Sequence, residues 1–389
     1  MTRERLKSAR RWVIKIGSSL LTADGKGLDR QQIAQWCSQI AHLVNNGHEV
    51  VLVSSGAIAE GMSRLNLQKR PHDLPTLQAA AAVGQMGLVQ TYEAAFDTHD
   101  LRTAQVLLTH EDLSNRQRYL NARATLRRLL DLNTVPVVNE NDTVTNDEIR
   151  FGDNDSLGAM VANLIAADVL VILTDQQGLF TDDPRKNTRA ELIERADPHD
   201  DDILALAGAP GSQLGSGGMR TKVLAARRAA DSGTTTVLAH GKTEDVISEL
   251  HHGARVGTMF TSSQPPKLAR KQWLASQLKS NGKLWLDQGA ANALQQRGVS
   301  LLAVGVTAVE GNFKRGELVS CLDEQGNEIA RGLSNYDSHA SGQIAGHSTA
   351  NFESILGYTG EPELINRDNL VLTGNQPNSL RQPAEPNEQ

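Results

Sequence analysis

Trp12-Val13-Ile14-Lys15-Ile16-Gly17-Ser18-Ser19 is an apolar, β-branched run interrupted by one lysine and closed by a small, flexible turn. A second run of the same texture follows, Glu49-Val50-Val51-Leu52-Val53, ending in Ser54-Ser55-Gly56-Ala57. Between them, Ile33, Trp36, Cys37, Ile40, Leu43 and Val44 recur at i, i+3, i+4, i+7 spacing until Gly47 stops the pattern. That spacing predicts an amphipathic helix linking two buried strands. Further strand-like runs lie at 102–108, 135–139, 169–174 and 235–239, again separated by helical patterns. Strands alternating with helices predict βαβ units: an α/β fold with an open, mostly parallel sheet and helices on both faces, over residues 1–260.

Beyond this region the texture changes. Thr261-Ser262-Ser263-Gln264-Pro265-Pro266 holds neither helix nor central strand, so residues 261–280 read as a linker with a helix at 268–278. From 281 to 370, short apolar runs at 283–286, 300–305 and 318–322 are separated by Gly and Asn/Asp turns, as in a small β-rich domain. Residues 374–389 carry Pro377, Pro383 and Pro386 with few apolar residues, and disorder is expected there.

Composition narrows the function classes. The 389 residues are 39% hydrophobic, with 33 glycines, and the formal charge is −6. A chain of this length builds a core without staples, and its charge offers no general attraction for nucleic acid or anionic lipid. Cys37 and Cys321, the two cysteines, are too distant in sequence for a disulfide framework or a Cys-based metal site. No apolar run has the roughly 18 residues of a membrane span. The basic start (Arg3, Arg5, Lys7, Arg10, Arg11) runs directly into the first strand without an apolar signal core, and reads as a solvated arm of a cytoplasmic protein.

Ligands of open α/β sheets sit at the carboxyl ends of the strands. The exits at Gly17-Ser18-Ser19 and Ser54-Ser55-Gly56 suit anions, because free N–H groups at a helix start point outward and glycine permits close approach. Lys15 sharpens this, since a charge within an apolar strand needs a partner. Gly215-Ser216-Gly217-Gly218-Met219-Arg220-Thr221-Lys222 forms a third glycine-rich cradle with a cation one turn into a helix. Its spacing is neither G-x-x-x-x-G-K-[ST] nor G-x-G-x-x-G, which argues against a P-loop NTPase and a Rossmann dehydrogenase. Asn139-Glu140-Asn141-Asp142 and Phe151-Gly152-Asp153-Asn154-Asp155-Ser156 concentrate Asn and Asp after the strand at 135–139. Such a cluster suits an ammonium group, a metal-bound phosphate or the two lysines, while helix capping alone accounts for a single Asp. Thr174-Asp175 stands at another strand exit, where hydroxyl and carboxylate groups read a base and ribose. The eleven histidines lack metal-ligand spacing, and no G-x-S-x-G elbow supports a Ser/His/Asp hydrolase.

Taken together, and in this order, these segments resemble the amino acid kinase family over most of residues 10–260. Residues 281–370 are similar to a PUA domain through Gly289-Ala290, Ser300-Leu301-Leu302, Gly311-Asn312-Phe313-Lys314-Arg315-Gly316 and Ala330-Arg331-Gly332. The resemblance implies the branch in which ATP phosphorylates the side-chain carboxylate of L-glutamate to L-glutamyl 5-phosphate, opening proline biosynthesis. It implies that Lys15 and Lys222 flank the phosphoryl group, that Asp155 holds both lysines, and that the Gly17 and Gly56 turns donate N–H groups. Ser55, Asp142 and Asn154 would hold glutamate. Lys15, Thr174, Asp175 and the loop Ser216, Gly217, Gly218, Met219, Arg220, Thr221 and Lys222 would hold ATP. Mg²⁺ would arrive on the nucleotide phosphates, without a dedicated protein metal site. Inhibition by proline, a homodimer or homotetramer, and transient contact with glutamyl phosphate reductase are also implied. Two other readings stand beside this one: a sister kinase with another carboxylate or phosphate acceptor, and an RNA-binding regulator acting through the PUA-like region. Against RNA, residues 280–358 carry five basic residues (Lys283, Arg297, Lys314, Arg315, Arg331) and eight acidic ones, a poor phosphate-neutralising surface.

Overall fold

The computed structural model describes residues 3–22, 27–145, 154–208, 218–261, 280–358 and 360–373. The chain divides into two compact units, residues 1–270 and 271–389. In the first, eight strands form one sheet: β1 (Arg11–Ile16), β2 (Glu49–Ser54), β3 (Arg102–Leu108), β4 (Thr134–Glu140), β5 (Val169–Thr174), β6 (Arg195–Ala196), β7 (Thr235–His240) and β8 (Thr258–Phe260). Their order is β3-β4-β2-β1-β5-β7-β8-β6, and only the β7–β8 pair is antiparallel. The six strands expected from sequence agree within a residue at either end. Strands β6 and β8 were not expected, because two or three residues are too few to show a period.

Strand β1 is the centre of the topology. It pairs in parallel with β2 on one side and β5 on the other, so that Lys15 stands between Val53 and Ile172. The chain runs from β1 outward to one edge, then returns to β5 on the opposite flank. The order therefore reverses at β1, and a crevice opens at its carboxyl end.

Alternation divides the strand residues between two cores. Trp12, Ile14 and Ile16 face one core, beneath α1 (Arg30–Asn45), α2 (Ala57–Arg64), α3 (Leu74–Asp97) and the later α7 (Val246–His251). Val13 faces the other, packed by α4 (Arg116–Asp131), α5 (Asn154–Ile165) and α6 (Met219–Asp231). Period two therefore places Lys15 on the α5–α6 side. Helix α1 spans the apolar stripe read from sequence, with the Asp29 carboxylate accepting from Gln32 N at its start and Gly47 in the left-handed region beyond its end.

The basic arm is not the solvated extension expected. Residues Glu4–Lys7 form a helical turn with Leu6 buried, and the Arg3 guanidinium donates to the carbonyls of Ala254, Val256 and Gly257. One apolar residue and one fork of donors are enough to dock it.

The second unit has a five-stranded sheet, order β10-β9-β11-β12-β13, from β9 (Gly282–Leu286), β10 (Val306–Gly311), β11 (Leu318–Leu322), β12 (Glu328–Leu333) and β13 (Leu370–Leu372). Leu284, Leu286, Phe313, Val319, Cys321 and Ile365 belong to its own core. The run at 300–305 is not a strand: Leu301 makes one isolated bridge to Ile365, and Ala303–Gly305 is a 3₁₀ turn. The helix expected at 268–278 and the disorder expected at 374–389 lie outside the described residues. Among those residues, no helix is long and apolar enough to cross a membrane.

Candidate active site

The two lysines singled out from sequence meet on one carboxylate. Lys15 Nζ lies 2.5 Å from Asp155 Oδ1, and Lys222 Nζ lies 2.9 Å from Asp155 Oδ2. Thr221 Oγ1 also lies 3.1 Å from Asp155 Oδ2, its one hydrogen shared with the nearer Gly218 O at 2.7 Å. Each side chain reaches this point for a local reason. Alternation turns Lys15 toward α5. Gly158, one turn into α5, lies beside its stem, where a Cβ would be in ordinary contact at 3.4 Å from Lys15 Cβ. Asp155 is in the first turn of α5, and Thr221 and Lys222 are in the first turn of α6, so both helix N-termini converge on the end of β1.

All three charged groups are buried, Asp155 completely. Burial alone would push the Asp155 carboxyl up. The ammonium groups of Lys15 and Lys222 and their hydrogen bonds outweigh it and hold the carboxyl well below the usual carboxylate range. The three side chains sum to one positive charge in a poorly hydrated place. Such an arrangement fits an anion that arrives with its own negative charge.

The turns around this triad differ in what they offer. Gly17 N–H donates to Leu173 O at 3.1 Å, extending the β1–β5 pairing, so this one amide of the turn is engaged within the sheet. A Cβ on Gly17 would sit tightly against Leu173 O, at 3.3 Å, and in ordinary contact with Lys15 Nζ, at 3.9 Å. Gly56, at φ +94°, starts α2 from the left-handed region, which glycine enters without strain.

On the β2 and β4 side, the expected acceptor residues partly come together. Asn154 Nδ2 donates to Ser54 O at 2.6 Å and to Asn139 Oδ1 at 2.8 Å, tying α5 across both strand exits. Ser55 is buried and its Oγ has no hydrogen-bond partner, which is unusual for an interior hydroxyl. Asp142 is half-buried in the turn after β4, where Val144 N donates to Asn141 O. Toward β5, Thr174 is buried and donates to the carboxylate of exposed Asp175 at 3.1 Å. Period two along β5 puts Thr174 on the Lys15 side of the sheet.

In the glycine-rich loop, Gly218 caps α6 and Met219 packs partly into the core. Arg220 reaches Gly208 O at 3.4 Å. Ser216 and Gly217 lie outside the described residues, as does Asp153.

Three groups at the site were missed. Thr221 was expected at ATP, and its position beside Asp155 was not foreseen. Asn139 was quoted as part of a cluster without a role, yet it bonds Asn154, Glu140 N and Gln85. Gln85 itself lies in α3, directly after Ala79-Ala80-Ala81-Ala82-Val83-Gly84. The available signal was its seven-residue spacing from Gln78 and Tyr92, a polar line on an apolar helix.

Residues 10–240 match the model of the amino acid kinase family, and residues 282–356 that of the PUA domain. Among curated proteins, the chain is similar to Glutamate 5-kinase of Nitrosospira multiformis, 60% identical over 94% of this chain and 99% of that protein. Glutamate 5-kinase of Thioalkalivibrio sulfidiphilus is 57% identical over 95% and 99%, and that of Chromobacterium violaceum 58% over 93% and 97%.

Proposed function

The chain belongs to the amino acid kinase family and carries a PUA domain, and we propose that it transfers the γ-phosphoryl group of ATP to the side-chain carboxylate of L-glutamate. The observation that supports this most is the buried Lys15–Asp155–Lys222 triad at the end of β1. A glutamate side chain has a pKa near ~4.3 and is already a nucleophilic anion at neutral pH, so no general base is required. Its oxygen forms a bond to the γ-phosphorus as the bond to the β,γ-bridging oxygen breaks, giving L-glutamyl 5-phosphate and ADP. Two anions must approach, and charge spreads over the transferring phosphoryl; fixed positive groups oppose both costs. Lys15 and Lys222 would serve that role, with Asp155 orienting both ammonium groups.

Ser55, Asn154 and Asp142 would receive glutamate. Asn154 has both amide hydrogens engaged, so only Oδ1 remains, an acceptor suited to the α-ammonium. Thr174, Asp175 and the Ser216–Lys222 loop would receive ATP. Mg²⁺ would come on the nucleotide: both Asp155 oxygens are already on ammonium groups, and among the described residues no group of three His, Cys, Asp or Glu converges on a metal position. The names of the relatives support a role in proline biosynthesis. Feedback by proline, which shares the α-amino and α-carboxylate groups of glutamate, would act by overlap with the acceptor pocket. A homodimer or homotetramer, a cytoplasmic location and transient delivery of the labile acyl phosphate to a reductase complete the proposal.

The test is chemical trapping. With Mg-ATP, L-glutamate and hydroxylamine, the enzyme should yield the γ-hydroxamate of glutamate in step with ADP. ADP release without hydroxamate would place the phosphoryl group on another acceptor.

A further inference from the structure

The polarity of the amide chain at the strand exits is set from its backbone ends. Ser54 O can only accept, so the Asn154 atom 2.6 Å away is Nδ2; the Glu140 N–H can only donate, so the Asn139 atom 2.9 Å away is Oδ1. Asn154 Nδ2 then donates to Asn139 Oδ1 at 2.8 Å, and Asn139 Nδ2 donates to Gln85 Oε1 at 2.7 Å. No amide in the series can be flipped without setting two donors or two acceptors face to face. The series ends on Gln85 Nε2, which is buried without a hydrogen-bond partner on a residue only 8% exposed.

Gln85 stands between two pins. Seven residues earlier on α3, Gln78 Nε2 donates to Thr145 O at 3.0 Å; seven residues later, Tyr92 Oη meets Ser54 Oγ at 2.9 Å. Seven residues are two turns, so all three share one face, against the β4 turn and the β2 exit. Along this face Ser55 Oγ and Thr145 Oγ1 are also buried without partners. One such group is costly, and three on neighbouring elements read as the imprint of an absent polar ligand.

We propose that Gln85 binds the acceptor, its Nε2 donating, together with Ser55 Oγ, to the α-carboxylate of the amino acid. This rests on the reading of the site as an amino-acid kinase. The reacting carboxylate belongs at Lys15 and Lys222. Gln85 is two amides further along, through Asn154 and Asn139, so the end of the acceptor that reaches it is the one that does not react. Donors at that end select acceptors that carry a second carboxylate.

The variant Gln85→Glu keeps the oxygen facing Asn139 and replaces the donor by an anion of nearly the same shape. Its KM for L-glutamate should rise about ten- to a hundredfold at pH 7.5, with kcat within about twofold of wild type. KM should then fall back as the pH is lowered and the introduced carboxyl takes up a proton and donates again. Gln85→Met, which has no donor, provides the second reading with 4-aminobutyrate as competitor, since this molecule keeps the reacting carboxylate and the ammonium but lacks the α-carboxylate. Wild type should prefer L-glutamate strongly, and Gln85→Met should lose about tenfold or more of that preference. Unchanged KM in Gln85→Glu, or a fall in kcat alone with the preference intact in Gln85→Met, would overturn the assignment. Failure of the wild-type enzyme to turn over L-glutamate would instead remove the proposed function itself, and with it the identity of the ligand at Gln85.

Discussion

Asp155 works because it is outnumbered. One carboxylate is shared between the ammonium groups of Lys15 and Lys222, and the proposed transfer needs both of them near the incoming anion. Lys222→Ala should therefore lower kcat about a hundredfold or more while changing the L-glutamate KM far less, as steady-state kinetics would show; an unchanged kcat would exclude a transition-state role. A different charge effect acts at the opposite end of β1. His251 packs edge-on against Trp12 and His48, beside His252, with its Nδ1 buried and unbonded. Burial first, then His48, His252 and His42, lower its pKa from 6.5. A base whose folded-state pKa is depressed contributes stability above its ordinary pKa and loses it as pH falls through the lowered value. Thermal melts should thus drop in midpoint from pH 7 to pH 5, and less steeply for His251→Gln; parallel slopes would refute this. Lys15 was legible in sequence because a charge inside an apolar run demands a partner. Gln85 was not, because one glutamine in an alanine-rich helix looks the same whether its face meets water or a strand exit.

Elements locate these residues through close backbone contact. Helices α2 and α3 cross where a Cβ on Gly84 would lie 1.8 Å from Ala57 O, and one on Gly61 would lie 1.7 Å from Ala80 O. Ala57 directly follows the Ser55-Gly56 turn, so this crossing also fixes the side of the site proposed to receive the acceptor. Gly84→Ala is expected to cost about 2 kcal/mol or more and to raise the L-glutamate KM. By contrast, Gly342→Ala, in the second unit where a Cβ meets nothing within 4 Å, should be neutral or slightly stabilising. Chemical denaturation of both variants checks the contrast; equal losses would mean that the crossing is not the cause. Period-two runs and the helical stripe at 33–44 revealed the parallel strands. The run at 300–305 misled because its apolar residues serve a 3₁₀ turn and a single bridge, which composition cannot separate from a strand.

At the scale of the whole chain, topology makes the site. Lysines 207 residues apart in sequence, at 15 and 222, meet because β1 lies between β2 and β5 while α5 and α6 cover the same sheet face. Sequence spacing carries no trace of that meeting; the resemblance of ordered segments implied it, and the sheet order supplies the physical reason. The Gln85–Asn139–Asn154 series likewise needs three elements assembled before its polarity can be worked out. The most direct measurement is ADP release from Mg-ATP with L-glutamate, D-glutamate, L-aspartate and N-acetyl-L-glutamate as separate acceptors, each with and without L-proline. Turnover confined to L-glutamate and suppressed by proline is the expected result. Turnover on another of these acceptors, with none on L-glutamate, would contradict the assignment of the acceptor pocket while leaving the lysine triad as a phosphoryl-transfer site.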